Sequence, residues 1–276
     1  IGTQGAGILE ADLKKETVQH RFQEKLSGNF KNYVLLLHSD EKHLFFTHDG
    51  TGIYFDKDAN DNEITLKEVL PEIAKVTAVY ADNDKKVWFG TKQNGLISVE
   101  SDASGISSDT TNYPVIAHNE ITGIAPLNET ELFISSNNGL VIFNTVTREL
   151  AENGTLISDE PVFKILNDPA EDILWIGTSN NVFAFNPQKP GSLIPLFPEK
   201  LMPTGPVRTL ITDGGNNLWF SAGERLFCKM HDEKTVREIN TELTGKNAIL
   251  SATKTTIDNN EILVFGTSLN LILVNP

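Results

Sequence analysis

Cysteine is nearly missing: Cys228 is the only one. No disulfide can form within the chain, and cysteine usage leaves the redox compartment open. Long apolar runs are missing too, and no stretch approaches the ~20 residues of a membrane-spanning helix. Basic clusters are lacking: 23 Lys and Arg are dispersed among 37 Asp and Glu, for a formal charge of −14. That balance argues against phosphate-backbone binding, which needs gathered cations, so no nucleic acid partner is expected. Familiar catalytic signatures are also wanting. There is no Gly-x-Ser-x-Gly elbow, no His-Glu-x-x-His helix and no phosphate-binding Gly loop. The chain opens on Ile1-Gly2-Thr3-Gln4, with no initiator Met and no leader. It therefore reads as a piece of a longer protein, and says nothing about targeting.

What is present is a repeat. Val87-Trp88-Phe89-Gly90-Thr91, a polar turn and Gly95-Leu96-Ile97 return as Leu174-Trp175-Ile176-Gly177-Thr178 with Asn181-Val182-Phe183. They return again as Leu218-Trp219-Phe220-Ser221 with Leu226-Phe227. Weaker copies place a large apolar residue at 45, 133 and 264, so successive copies lie 42 to 45 residues apart. Each copy has an apolar strand about 12 residues upstream, such as Val162–Leu166, joined to it by an Asp/Asn-rich turn suited to a hairpin. A third strand follows the Gly position, and a weaker, more polar fourth follows that.

Four antiparallel strands per repeat of this length is one propeller blade. The expected fold is all-β, a seven-bladed β-propeller with six blade cores plus a partial blade in this chain. The blades fall at roughly 1–30 (partial), 31–72, 73–118, 119–158, 159–203, 204–245 and 246–276 (lacking the outer strand), in one propeller domain or fragment. Trp88, Trp175 and Trp219 recur at one repeat position, so they are read as structural, packing between adjacent blades. A ligand platform would call for an asymmetric set.

The repeats resemble those of the two-component regulator propeller family, whose units read as an apolar strand, an Asp-Gly turn, Leu-Trp-Ile-Gly-Thr and Gly-Leu. Leu174–Thr178 carries the nearest match, and Asn181, Arg225 and Asn270 depart from it where the family has Gly. The resemblance implies the periplasmic sensor domain of a hybrid two-component protein, with its histidine kinase and membrane span elsewhere in the parent. It implies a glycan-derived oligosaccharide as ligand and a homodimer formed through the parent receptor. It transfers no site residues.

Any ligand site is expected at an axial mouth, on turns between second and third strands: His48, Asp49, Lys92, Gln93, Asn94, Asn137, Asn138, Asn180 and Glu224. Their amide, hydroxyl and charged groups are the vocabulary of sugar recognition. His38 and His43 bracket Asp40, but no further ligand follows at metal-site spacing. No metal, cofactor or catalytic residue is expected. A protein-interaction scaffold, or a propeller lyase or hydrolase acting on glycans, remains the alternative.

Overall fold

Residues with β-branched and aromatic side chains alternate here with Asp, Asn and Gly turns, and the chain accordingly folds into consecutive antiparallel hairpins. In the computed structural model the described residues are 8–12, 15, 17–21, 34–39, 43–48, 51–56, 65–70, 75–82, 86–102, 105–113, 119–189, 191, 193–197, 204–239 and 247–276. The side chains of 8–11, 20–21, 34–70, 101–110 and 112 lie outside that description. No helix occurs among the described residues.

The chain divides into two units, Ile1–Ile124 and Ala125–Pro276. The first holds β1 (Ile8–Asp12) and β2 (Thr17–Arg21), paired as a two-stranded ribbon. A four-stranded sheet follows: β3 (Val34–Ser39), β4 (His43–His48), β5 (Thr51–Asp56) and β6 (Thr65–Leu70). The next comprises β7 (Val76–Asp82), β8 (Lys86–Thr91), β9 (Leu96–Asp102) and β10 (Gly105–Tyr113).

The boundary between units falls within β11 (Ile121–Pro126), which heads a sheet with β12 (Glu131–Ser136), β13 (Gly139–Asn144) and β14 (Glu149–Ser158). The second unit continues with β15 (Val162–Asp168), β16 (Ile173–Thr178), β17 (Val182–Phe185) and β18 (Ile194–Pro195). Then come β19 (Thr209–Thr212), β20 (Leu218–Ala222), β21 (Arg225–Lys229) and β22 (Val236–Ile239). It closes on a three-stranded sheet of β23 (Ile249–Ile257), β24 (Asn260–Thr267) and β25 (Leu271–Val274).

The fold is thus an all-β propeller of four-stranded antiparallel blades, and five such blades stand among the described residues. This corrects the seven expected from the repeat. The two terminal repeat copies, read as incomplete from the sequence, contribute a ribbon of two strands and a sheet of three and so add no four-stranded blade.

The core of the second unit sits between blades. Phe133, Leu140 and Ile157 of one blade pack with Val162, Ile165, Leu174, Ile176 and Phe185 of the next. Trp175 joins Val207, Leu210, Phe220 and Phe227. Trp219 joins Ile249, Leu263, Phe265 and Ile272. A second strand such as Leu218–Ala222 is buried along its whole length, because blades cover both of its faces. That is why it reads as a continuous apolar run rather than an alternation.

Candidate functional site

In the second unit two blades are tied to the next where its first strand begins. Val207 N–H donates to Thr178 O at 2.9 Å, and Ile249 N–H donates to Gly223 O at 3.0 Å. The second-to-third-strand turns and the starts of the first strands therefore share one end of these blades. Gly177 permits the close approach: a Cβ there would stand 2.6 Å from Val207 Cγ1. Gly90 does the same in the first unit, where a Cβ would overlap Ile121 Cγ2. At the matching position Ser221 instead bonds outward, its Oγ donating to Ile249 O at 3.3 Å while its N–H donates to Thr209 Oγ1.

The turn residues singled out from the sequence are placed as follows. Lys92, Gln93 and Asn94 are exposed in the β8–β9 turn of the first unit. Lys92 Nζ lies 3.8 Å from Glu120 Oε2, and Asn94 N–H donates to Thr91 Oγ1 at 2.9 Å. In the second unit Asn137 and Asn138 are exposed in the β12–β13 turn, Asn180 in the β16–β17 turn and Glu224 in the β20–β21 turn. Asn138 N–H donates to Ser136 Oγ and its carbonyl accepts from Asp159 N–H. Asp49 and the side chain of His48 lie outside the described residues, as do the side chains of His38 and His43. The described candidate turns of the second unit thus share an end.

The tryptophans are interior. Trp88, Trp175 and Trp219 are 2%, 3% and 6% exposed. Trp88 leans on Tyr113 with ring centres 5.4 Å apart. The indole N–H of Trp175 donates to Asp168 Oδ2 at 3.2 Å, and that of Trp219 to Asp213 Oδ2 at 2.7 Å. Reading the Asp residues only as turn formers missed this partner. The available signal was the spacing, an Asp six or seven residues before Trp219 and Trp175. Burial alone would raise the Asp213 pKa. Hydrogen bonds from the Trp219 indole, from Asn217 side chain and backbone, and from Gly215 N–H outweigh it and hold the carboxyl below its ordinary value.

Asn181, a departure from the family pattern, is 3% exposed and works as a clamp. Its Nδ2 donates to Phe197 O, and its Oδ1 accepts from Phe197 N–H and Val182 N–H. The side chain thereby fastens the segment after β18 to the start of β17. Burial pushes the Cys228 thiol up to about 11, so it is a poor nucleophile. At the opposite end of the blades, a polar depression is lined by Asp213, Gly214, Asn217, Asn260 and Glu261. Its groups are largely engaged with one another: Gly214 N–H donates to Glu261 Oε1 at 2.6 Å. Among the described residues no cluster of three His, Cys, Asp or Glu could hold a metal ion. No helix among them is long and apolar enough to cross a membrane.

No family model and no curated protein sequence matches the chain. Solved structures do. The chain is similar to the extracellular domain of the hybrid two component system BT4673 from B. thetaiotaomicron, at 16% identity and a TM-score of 0.72, covering 98% of this chain and 35% of that one. It is similar to the extracellular domain of the hybrid two component system BT3049 from the same organism, at 17% identity and a TM-score of 0.58, covering 99% of this chain and 42% of that one. A further likeness is to PorZ, a bacterial surface component of the type-IX secretion system of Porphyromonas gingivalis, at 14% identity and a TM-score of 0.54, covering 87% of this chain and 34% of that one. The chain spans well under half the length of each. At these identities the likeness establishes the fold.

Proposed function

We propose that this chain is part of the extracytoplasmic sensor of a hybrid two-component receptor. On this reading it sits in the periplasm, performs no catalysis and recognises a glycan-derived oligosaccharide. The recognition surface is the end of the blades that carries the second-to-third-strand turns. The signal passes across the membrane through the parent protein, as a homodimer, to a histidine kinase elsewhere in it. The observation that carries the reading is the match of fold, over 98% of the chain, to the extracellular domain of such a system. The turn end adds support, since Asn137, Asn138, Asn180 and Glu224 present exposed amides and a carboxylate there. Sugars are bound by such groups working against apolar or aromatic surface.

The test is a thermal-shift screen of the purified chain against neutral and acidic oligosaccharides. A ligand at 100 times its Kd stabilises the folded state by about 2.7 kcal/mol, which raises Tm by several degrees. A reproducible shift with one glycan class is expected. Turnover of any bound glycan, seen as new reducing ends, would move the reading to a propeller lyase or hydrolase.

A second reading is a protein-interaction scaffold, favoured by one observation. Leu250, Leu269, Leu271 and Leu273, on and beside β23 and β25, are 49%, 79%, 38% and 48% exposed. Light scattering of the triple variant Leu269→Ser, Leu271→Ser and Leu273→Ser checks it. Loss of an oligomer seen in the parent chain favours a scaffold surface; an unchanged mass leaves the sensor reading alone in place.

A further inference from the structure

The five four-stranded sheets of this chain each finish on an outer strand that carries a charge or a proline: Lys67 in β6, Asp109 in β10, Glu152 in β14, Pro195 in β18 and Arg237 in β22. Such residues keep an exposed row of backbone groups from pairing with another chain. The sheet of β23 to β25 finishes differently. Its outer strand is Leu271-Ile272-Leu273-Val274, with neither charge nor proline, and among the described residues no strand pairs with its far side. Ile272 joins the core around Trp219, whereas Leu271 and Leu273 are exposed on the opposite face, next to Leu269 of the preceding turn.

The ladder fixes which backbone groups face outward at that edge. Thr267 N–H donates to Asn270 O across the hairpin, and further along Phe265 stands opposite Ile272 and Leu263 opposite Val274. Bonded and non-bonded pairs alternate along an antiparallel ladder. Ile272 and Val274 therefore bond inward to β24, while the N–H and C=O of Leu271 and Leu273 point outward. A second copy presents the same groups. Laid antiparallel with the two Ile272 residues opposite each other, Leu271 of each copy faces Leu273 of the other, and each such pair exchanges two N–H···O=C bonds. The arrangement is two-fold symmetric, and a slip of one residue would set outward groups against inward ones. Residues 262–276 include no charged side chain, so two chains of −14 each meet here where like-charge repulsion is least.

We infer that a second copy of this chain docks on β25, strand against strand, joining two three-stranded sheets into one of six. The pairing rests on the scaffold reading of the leucine surface and names its partner; the sensor reading does not depend on it. Four residues per strand make a small contact, so the dimer is weak, populated at about 100 μM and dissociated at about 1 μM.

Sedimentation velocity at those two concentrations tests it, on the chain and on Leu273→Pro. Proline there removes an outward N–H and leaves the bonds to β24 in place, and it should weaken the dimer about tenfold or more. Disulfide cross-linking reads the register. Leu271→Cys mixed with Leu273→Cys should give several-fold more cross-linked dimer than either variant alone, because only unlike positions stand opposite, with Cα atoms about 5.5 Å apart. Cys228 is buried and does not compete. A monomer at both concentrations overturns the pairing and the scaffold reading together. A dimer that survives Leu273→Pro and cross-links without preference overturns the strand pairing alone, since the leucine faces then meet without it. Protection of the Leu271 and Leu273 amides from hydrogen exchange in a monomer also overturns it, by showing that another strand of the polypeptide covers the edge.

Discussion

Asp213 illustrates how much a single side chain holds in place. Its carboxylate accepts from the Trp219 indole, from Asn217 Nδ2 at 2.9 Å and from the backbone N–H groups of Gly215 and Asn217. Its pKa in the folded chain lies below the ordinary 3.8. The ionised form therefore adds stability above that ordinary value, and the contribution is lost as pH falls through the folded value. Asp213→Asn should cost about 1–3 kcal/mol at pH 7 in urea denaturation, because donors aimed at the carboxylate lose their acceptor. The gap between variant and parent should shrink toward pH 3, and an equal gap at both pH values would show that the charge is not what matters. Cys228 makes a second case. At 2% exposure and with its pKa near 11, it should resist a disulfide reagent at pH 8 in the native chain and react fully in urea. The sequence already placed this thiol in an apolar strand. The acceptor role of Asp213 was not legible, because an Asp in a turn looks the same whether or not an indole points at it.

The unit of construction at the element scale is the second strand with its covering blade. Trp175 is enclosed by residues of the following blade, and Trp175→Ala should cost about 3–5 kcal/mol by the lost contacts and the cavity left behind. Gly177→Ala tests the close approach separately, since the new Cβ would meet both side chain and backbone of Val207 within 3 Å. It should destabilise by about 1–3 kcal/mol, whereas Gly214→Ala, with nothing nearer than 3.5 Å, should fall within about 0.5 kcal/mol. Chemical denaturation of the two variants checks the contrast. Strand positions were readable from the repeat, since apolar runs and Asp/Asn turns are local signals. The Asn181 clamp was not readable, because the bonds to Phe197 depend on where a later segment is brought back.

Charge acts on the molecule as a whole. With a formal charge of −14 and a pI near 4.8, the chain should lose solubility as pH approaches that value, measurable as rising light scattering. It should also fail to bind duplex DNA at physiological salt in a mobility-shift assay. The repeat by itself determined that the chain is all-β, built from hairpins of four strands, with a tryptophan at one recurring place. Periodicity is a property of the chain, and hydrophobic burial on both faces of a strand writes itself directly into composition. The number of four-stranded blades was decided only by tertiary structure, because a repeat copy that is short of strands, as the first and last are, does not say in the sequence whether another segment completes its sheet.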